Sequence, residues 1–208
     1  MNGIDKVFAP LGGKPVLSRV LAAFDGCDLI DQIIVVVSEN NVAKCRKLIG
    51  GEERSTLIEV CAGGKRRQDS VAAGLARLDE CDWVVIHDGA RPLVTKELIE
   101  RGLEAAQETG AAVAAVPVTD TIKVVGDDKI VRQTPPRQNL WAVQTPQVFR
   151  LGIIAEAYQK AKGEVTDDAS LVERLGHKVK LYMGAYDNIK ITTSNDLLVA
   201  EALLEYGR

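Results

Sequence analysis

Short apolar runs alternate with amphipathic stretches along most of the chain. Residues 33–37 are apolar and β-branched throughout, which is typical of a strand buried on both faces. Similar runs predict further strands at residues 57–61, 83–86 and 111–116. The stretches between and after them predict helices at residues 15–24, 42–49, 69–78 and 98–107. This alternation predicts an α/β fold with a mostly parallel sheet and helices on both faces.

The same pattern returns near the C-terminus. It predicts helices at residues 151–161, 166–172 and 194–204, and a strand at residues 179–183. Thr95, Thr166 and Ser194 are residue types that cap helix N-termini, and Pro15 suits a first turn.

Between these two regions the pattern changes to polar alternation. Residues 119–125 and 129–133 flank a Gly-Asp-Asp turn, which predicts a β-hairpin. Such a hairpin has too little apolar surface to be stable alone. We therefore expect residues 119–138, here called the arm, to protrude from a single domain (residues 1–208) and to pack on a partner.

The composition excludes several classes of protein. Of the 208 residues, 46% are hydrophobic and 26% are charged, which does not fit a disordered chain. A net charge of −3 and a pI near 5.5 argue against a nucleic-acid-binding protein. No apolar run approaches the roughly 20 residues that a membrane span requires.

The cysteines predict neither a metal site nor disulfides. Cys27, Cys45, Cys61 and Cys81 form no CxxC pair, and the two histidines are far apart. Without a visible signal peptide, buried free thiols in a cytoplasmic protein are the better interpretation.

Polar residues cluster where predicted strands end, which is where parallel α/β sheets bind ligands. Residues 63–70 read Gly-Gly-Lys-Arg-Arg-Gln-Asp-Ser and suit backbone contact with a ligand, although a plain solvated turn is as good an explanation. Residues 87–92 read His-Asp-Gly-Ala-Arg-Pro. There Asp88 suits a ribose hydroxyl or a metal ion and Arg91 a phosphate, the alternative being a surface ion pair. We expect His87 to be a packed strand-end residue rather than a catalyst.

Four more clusters follow, at residues 117–123, 136–147, 166–170 and 187–192. Singly each is weak, since Thr166 could be only a helix cap and Lys190 only a surface lysine. In order and spacing, however, the stretches HDGARP, QTPQ, TDDAS and DNIKIT resemble the 2-C-methyl-D-erythritol 4-phosphate cytidylyltransferase family. Ribitol-5-phosphate cytidylyltransferases are the nearest alternative.

The resemblance implies a Rossmann-like sheet, a dimerisation arm and a reaction. A phosphate oxygen of 2-C-methyl-D-erythritol 4-phosphate attacks the α-phosphorus of CTP, which releases pyrophosphate and forms 4-diphosphocytidyl-2-C-methyl-D-erythritol for the non-mevalonate isoprenoid pathway. Positioning and charge stabilisation carry such a reaction. Mg²⁺ would be held mainly by the CTP phosphates, with Asp88 as the candidate protein ligand.

The resemblance also implies individual roles. Lys6 and Lys190 match catalytic lysines that contact the reacting phosphates. The positions matching nucleotide-binding residues are Gly64, Ser70 and Asp88. Those matching acceptor-binding residues are Asp88, Arg91, Thr121, Arg137, Thr145, Thr166 and Lys190. Thr121 and Arg137 lie in the arm and would serve the neighbouring subunit, which implies a homodimer.

One departure from the family pattern concerns the N-terminus. The family opens with a strand and a glycine-rich loop that carries a catalytic arginine, and Met1 aligns with the end of that loop. We expect such a strand to lie between residues 33–37 and 83–86, encoded upstream of Met1. If that loop is truly absent, the alternative is a binding module without activity.

Overall fold

The computed structural model describes residues 6–51, 55–78, 80–160 and 163–206. In chain order the strands are β1 Pro10–Leu11, β2 Lys14–Pro15, β3 Gln32–Val37, β4 Leu57–Ala62, β5 Trp83–Ile86, β6 Ala111–Pro117, β7 Val124–Val125, β8 Val131–Gln133, β9 Trp141–Arg150 and β10 Lys180–Met183. The helices are α1 Val16–Asp25, α2 Val42–Ile49, α3 Arg67–Leu75, α4 Lys96–Thr109, α5 Leu151–Lys160, α6 Ala169–Arg174 and α7 Ser194–Tyr206.

The largest sheet has the strand order β10-β6-β9-β5. β10 pairs with β6 in parallel, whereas β9 runs antiparallel to both β6 and β5. Every strand of this sheet except β9 therefore points in one direction. β3 and β4 form a separate parallel pair.

Helices cover both faces of the large sheet, as predicted. The Ala-Val run of β6 is almost wholly buried, because alternate residues face opposite helical layers. Ala112 and Ala114 pack with α1 and α4, while Ala111 and Val113 pack with α5 and α6. This confirms the α/β fold class and fixes the carboxyl end of β5 beside β9.

β3 and β5 do not hydrogen-bond to each other. Each uses one edge, β3 on β4 and β5 on β9, and the described strand pairs include none between them. A cavity of about 970 Å³ lies between the two strands, and Val35, Val37, Val84 and Ile86 are among its lining residues. We expected these two apolar strands to remain apart, and they do.

The arm is a hairpin, as predicted. β7 pairs with β8 antiparallel, and the turn includes Lys129 at a φ of 62°. Its apolar side chains are exposed, with Ile130 at 58% and Val131 at 51%. The arm thus leaves apolar surface uncovered within one chain, which fits the expectation that it packs on a partner.

Two of the three predicted caps were wrong. Thr95 Oγ1 does accept from the Leu98 N–H at the start of α4, at 3.2 Å. Thr166, however, lies before the helix: α6 begins at Ala169, where Asp167 accepts from the Ser170 N–H. The cap of α7 is Thr193 rather than Ser194, because the Thr193 hydroxyl accepts from the Asp196 N–H.

All four cysteines are free. Cys27, Cys45 and Cys61 are buried as expected, but Cys81 is exposed, because it lies in the segment before β5 rather than inside the strand. Within the described ranges, no helix is both long and apolar enough to cross a membrane.

Candidate active site

Asp88 is the second residue after β5 and is the centre of an ion cluster. Its carboxylate lies 2.8 Å from Lys190 Nζ, 3.4 Å from Arg67 Nε and 3.6 Å from Arg91 Nε. Burial alone would raise the pKa of Asp88, but the hydrogen bond from Lys190 and the charges of all three cations outweigh it and hold the pKa below its usual value. Asp88 is therefore ionised at neutral pH.

Arg67, at the first turn of α3, connects this cluster to a second carboxylate. Its Nη2 donates to Asp168 Oδ2 at 2.6 Å, and Tyr158 donates to the other Asp168 oxygen at 2.5 Å. The Asp168 side chain is 1% exposed. Burial acts to lower the pKa of Arg67, yet the two carboxylates raise it overall, so the guanidinium stays charged.

Thr145 of β9 joins the Asp88 segment through its hydroxyl. The Asp88 N–H donates to Thr145 Oγ1 at 3.0 Å, and the same oxygen lies 3.1 Å from His87 Nδ1. The other ring nitrogen, His87 Nε2, lies 3.1 Å from the Arg91 carbonyl oxygen. Desolvation by burial lowers the pKa of His87 to about 4. His87 is thus a packed, hydrogen-bonded residue at a strand end, as the sequence suggested.

Asn188 connects the segment that carries Lys190 to β9 and to Arg91. Its buried amide donates to the Thr145 carbonyl at 2.8 Å and to Gln144 Oε1 at 3.3 Å. The backbone carbonyl oxygen of Asn188 accepts from Arg91 Nη1 at 2.7 Å. Lys190, two residues on, is therefore held against Asp88 by contacts that join three separate parts of the chain.

The glycines of residues 63–70 allow a close approach to α3. A Cβ on Gly64 would lie 2.3 Å from the Cβ of Asp69, which no side chain tolerates. The Ser70 hydroxyl is 3.5 Å from the Gly64 carbonyl oxygen. Ser70, Arg67 and Asp88 all line the cavity between β3 and β5. The structure therefore brings two of the nucleotide-site candidates to one cavity, with Gly64 beside them.

The remaining four candidates lie outside the ion cluster. Lys6 is in the 3₁₀ turn Lys6–Phe8, and Thr166 is exposed ahead of α6. Thr121 and Arg137 are exposed on the arm, where Arg137 Nη1 donates to the Thr119 carbonyl at 2.6 Å. In one chain the arm residues therefore do not complete the Asp88 site.

Sequence reasoning assigned no role to Arg67, Asp168 and Asn188. Arg67 and Asp168 are 101 residues apart, so no local spacing relates them. The available signal was that each lies in a polar cluster of the sequence. Arg67 lies in residues 63–70, Asp168 in residues 166–170 and Asn188 in residues 187–192.

The arrangement favours an anionic ligand. Three cations (Lys190, Arg67 and Arg91) contact Asp88, and Arg67 also contacts Asp168, so these five side chains carry one net positive charge. Guanidinium and ammonium groups suit phosphate oxygens. Across the described ranges, no group of three or more His, Cys, Asp or Glu residues could hold a metal ion.

Comparison with known proteins agrees with this geometry. A family profile described as 2-C-methyl-D-erythritol 4-phosphate cytidylyltransferase (IspD) matches residues 1–206. The chain is similar to a protein of that name from Dehalococcoides mccartyi, at 52% identity over 100% of this chain and 92% of the relative. A Bacillus licheniformis protein of the same name is 47% identical over 98% of this chain and 89% of the relative.

Solved structures give the same result. The 4-diphosphocytidyl-2C-methyl-D-erythritol synthase of Anaerococcus prevotii matches with a TM-score of 0.89 and 33% identity, over 96% of this chain and 93% of that one. The 2-C-methyl-D-erythritol 4-phosphate cytidylyltransferase of Thermus thermophilus matches with a TM-score of 0.79 and 36% identity over the same shares.

Proposed function

This chain belongs to the 2-C-methyl-D-erythritol 4-phosphate cytidylyltransferase family, and from that premise we propose how its own residues carry out the transfer of a cytidylyl group from CTP to 2-C-methyl-D-erythritol 4-phosphate. A phosphate oxygen of the acceptor forms a bond to the α-phosphorus of CTP. The bond from that phosphorus to the β-phosphate oxygen breaks, and pyrophosphate leaves with the electron pair.

The observation that carries the proposal is the contact of Lys190 with Asp88, flanked by Arg67 and Arg91. Bringing two phosphorylated molecules together requires fixed positive charge, since both are anions. Preorganised cations stabilise charge that develops in the transition state without reorganising. Asp88 keeps these cations close together until the anions arrive.

We assign the individual roles by matching positions of this chain to the site residues of the family. Lys190 contacts the reacting phosphates, and Arg91, Thr145 and Thr166 contact the acceptor. Asp88 lies between acceptor and nucleotide, while Gly64 and Ser70 contact the base. Lys6 approaches the triphosphate, and bound CTP connects Lys6 to the ion cluster.

A magnesium ion fits this site as a companion of CTP rather than as a protein-bound ion. The Asp88 oxygens already face cations, and no larger group of candidate ligands surrounds Asp88 within the described chain. Mg²⁺ needs few protein ligands because it retains waters and binds phosphates. When bound, it would neutralise triphosphate charge, and Asp88 is the residue placed to reach it.

The active form is a cytoplasmic homodimer whose arms exchange. Arg137 and Thr121 lie on the arm and away from the Asp88 cluster of their own chain. The exposed apolar side chains of the arm support burial against a second subunit.

A coupled pyrophosphate-release assay tests the function. CTP with 2-C-methyl-D-erythritol 4-phosphate should give turnover, whereas CTP with ribitol 5-phosphate should give much less. If CTP gives pyrophosphate release with ribitol 5-phosphate but not with 2-C-methyl-D-erythritol 4-phosphate, the acceptor assignment is contradicted. Absence of turnover together with absence of CTP binding by titration would identify a binding module without activity.

A further inference from the structure

The hydrogen bonds around His87 determine which ring nitrogen carries the proton. The Arg91 carbonyl can only accept, so the His87 Nε2 that lies 3.1 Å from it must donate. A neutral imidazole then has a bare Nδ1, which accepts from the Thr145 hydroxyl. The ring of Phe24 packs against the imidazole, and such an apolar neighbour favours the neutral form.

The imidazole in turn fixes the direction of the Thr145 hydroxyl proton. A hydroxyl has one proton and two lone pairs. Its proton is directed to His87 Nδ1, and one lone pair accepts from the Asp88 N–H at 3.0 Å. One lone pair remains, and the group has no proton left to donate.

We propose that His87 is a positioning residue that makes Thr145 an acceptor-only group, so that Thr145 recognises a hydroxyl of the sugar alcohol and not its phosphate. This inference rests on the proposed function, because it assigns a specific task to one residue of that acceptor site. Phosphate oxygens lack the proton that Thr145 requires, whereas every hydroxyl of a polyol can supply one. The phosphate is left to the cations Lys190 and Arg91.

His87 also fixes the turn that presents the other acceptor groups. The Arg91 N–H donates to the Asp88 carbonyl, and the imidazole bonds to the Arg91 carbonyl from inside that turn. The ring lies 5.3 Å from the ring of Phe24, centroid to centroid. Arg91 and Asp88 are thus oriented by the same side chain that orders Thr145.

The tautomer can be measured on the ligand-free protein. Long-range ¹H–¹⁵N correlation spectra at neutral pH, with His87→Asn used to assign the signals, should show protonated Nε2 and bare Nδ1 for His87. A ring protonated at Nδ1, alone or together with Nε2, would overturn the proposal. This result does not depend on catalysis, so it stands even if the assay with CTP fails.

The recognition step is tested by pairing Thr145 variants with acceptors that each lack one hydroxyl. On the intact acceptor, Thr145→Val should lower kcat/KM by roughly 10- to 100-fold, and Thr145→Ser, which keeps the hydroxyl, should recover most of that loss. On the deoxy acceptor that lacks the hydroxyl bound by Thr145, the kcat/KM of the wild type should already be low. There Thr145→Val should lower kcat/KM much less than it does on the intact acceptor. An equal loss on the intact acceptor and on every deoxy acceptor would show that Thr145 reads no hydroxyl.

Two His87 variants separate positioning from packing. His87→Asn keeps an acceptor near the Nδ1 position, whereas His87→Leu removes it. His87→Asn should retain the coupling between Thr145 and the hydroxyl, and His87→Leu should abolish it while the variant remains folded by circular dichroism. If His87→Leu keeps the coupling, His87 does not order Thr145.

Discussion

Lys190 Nζ lies 2.8 Å from Asp88 Oδ2 and joins the segment after β10 to the segment after β5. The Lys190 side chain is 41% exposed, whereas that of Asp88 is 15% exposed. The lysine therefore keeps a solvent-facing side from which it can reach an incoming phosphate, and the carboxylate limits how far it can move. This contact favours preorganisation of positive charge over a purely structural ion pair.

Lys190→Ala should abolish most turnover with little loss of stability. Removing one preorganised charge lowers the rate by roughly 10²–10³, whereas a half-exposed ion pair contributes about 1 kcal/mol or less to folding. Steady-state kinetics and urea unfolding measure the two effects. Lys178→Ala, at an exposed lysine after α6, is the matched control. Near-normal turnover of Lys190→Ala would remove Lys190 from the catalytic group.

Arg67→Met should destabilise the fold strongly, because it leaves the buried Asp168 carboxylate without its cation. Breaking a buried pair from one side costs about 3–5 kcal/mol. The double variant Arg67→Met/Asp168→Asn should recover part of that loss in urea unfolding. Lys160→Met, which breaks an exposed pair with Glu156, should change the free energy of unfolding by less than about 1 kcal/mol. Equal effects of the buried and exposed substitutions would show that the Arg67 network contributes no more than a surface pair.

The stability of the protein should fall as the pH drops from about 6.5 towards 4, in part because of His87. The unfolded chain binds a proton at His87 below its usual pKa of about 6.5, whereas the folded chain does not until about pH 4. Protonation thus favours the unfolded state across that window. Asp88 adds its own loss only at lower pH, since its pKa is held below the usual value.

Urea unfolding across this pH range measures the effect. His87→Asn should flatten the curve between pH 6.5 and 4, and His177→Asn is the control for the other histidine. The charged groups facing His87 are Asp88 and Arg91, and both variants retain them. If His87→Asn leaves the slope unchanged, His87 titrates alike in the folded and unfolded chains.

The elements that sequence reasoning located well are those whose pattern is local. β5 is a plain apolar run, and its predicted bounds agree with the structure. β9 was missed because glutamines and Pro146 interrupt its apolar pattern. The buried amide of Gln147 is satisfied by the Ala169 N–H from another element, which no local pattern reveals. Asp88 and Lys190 lie in local sequence clusters, so their candidate positions could be predicted. The residues that hold them come from distant parts of the chain, so those partners could not be predicted.

The arm should complete the acceptor site of a second subunit. In a single chain, Arg137 bonds to the Thr119 carbonyl within the arm and not to the Asp88 cluster. A cation so placed would serve catalysis only if the arm crosses to a partner, where the exposed Ile130 and Val131 would also be buried.

Complementation tests this directly. Arg137→Ala and Lys190→Ala chains, each inactive as a homodimer, are mixed, unfolded and refolded together. A mixed dimer has one site that lacks both side chains and one that retains both, because the arm of the Lys190→Ala chain supplies Arg137 to the intact Lys190 of the other chain. Statistical mixing makes half of the dimers mixed, and each has one of two sites intact, so about one quarter of wild-type activity should return if the arms exchange. Mixing either variant with itself is the control and should restore nothing. If mass spectrometry shows mixed dimers and activity stays at the level of the single variants, Arg137 does not act across the subunit boundary.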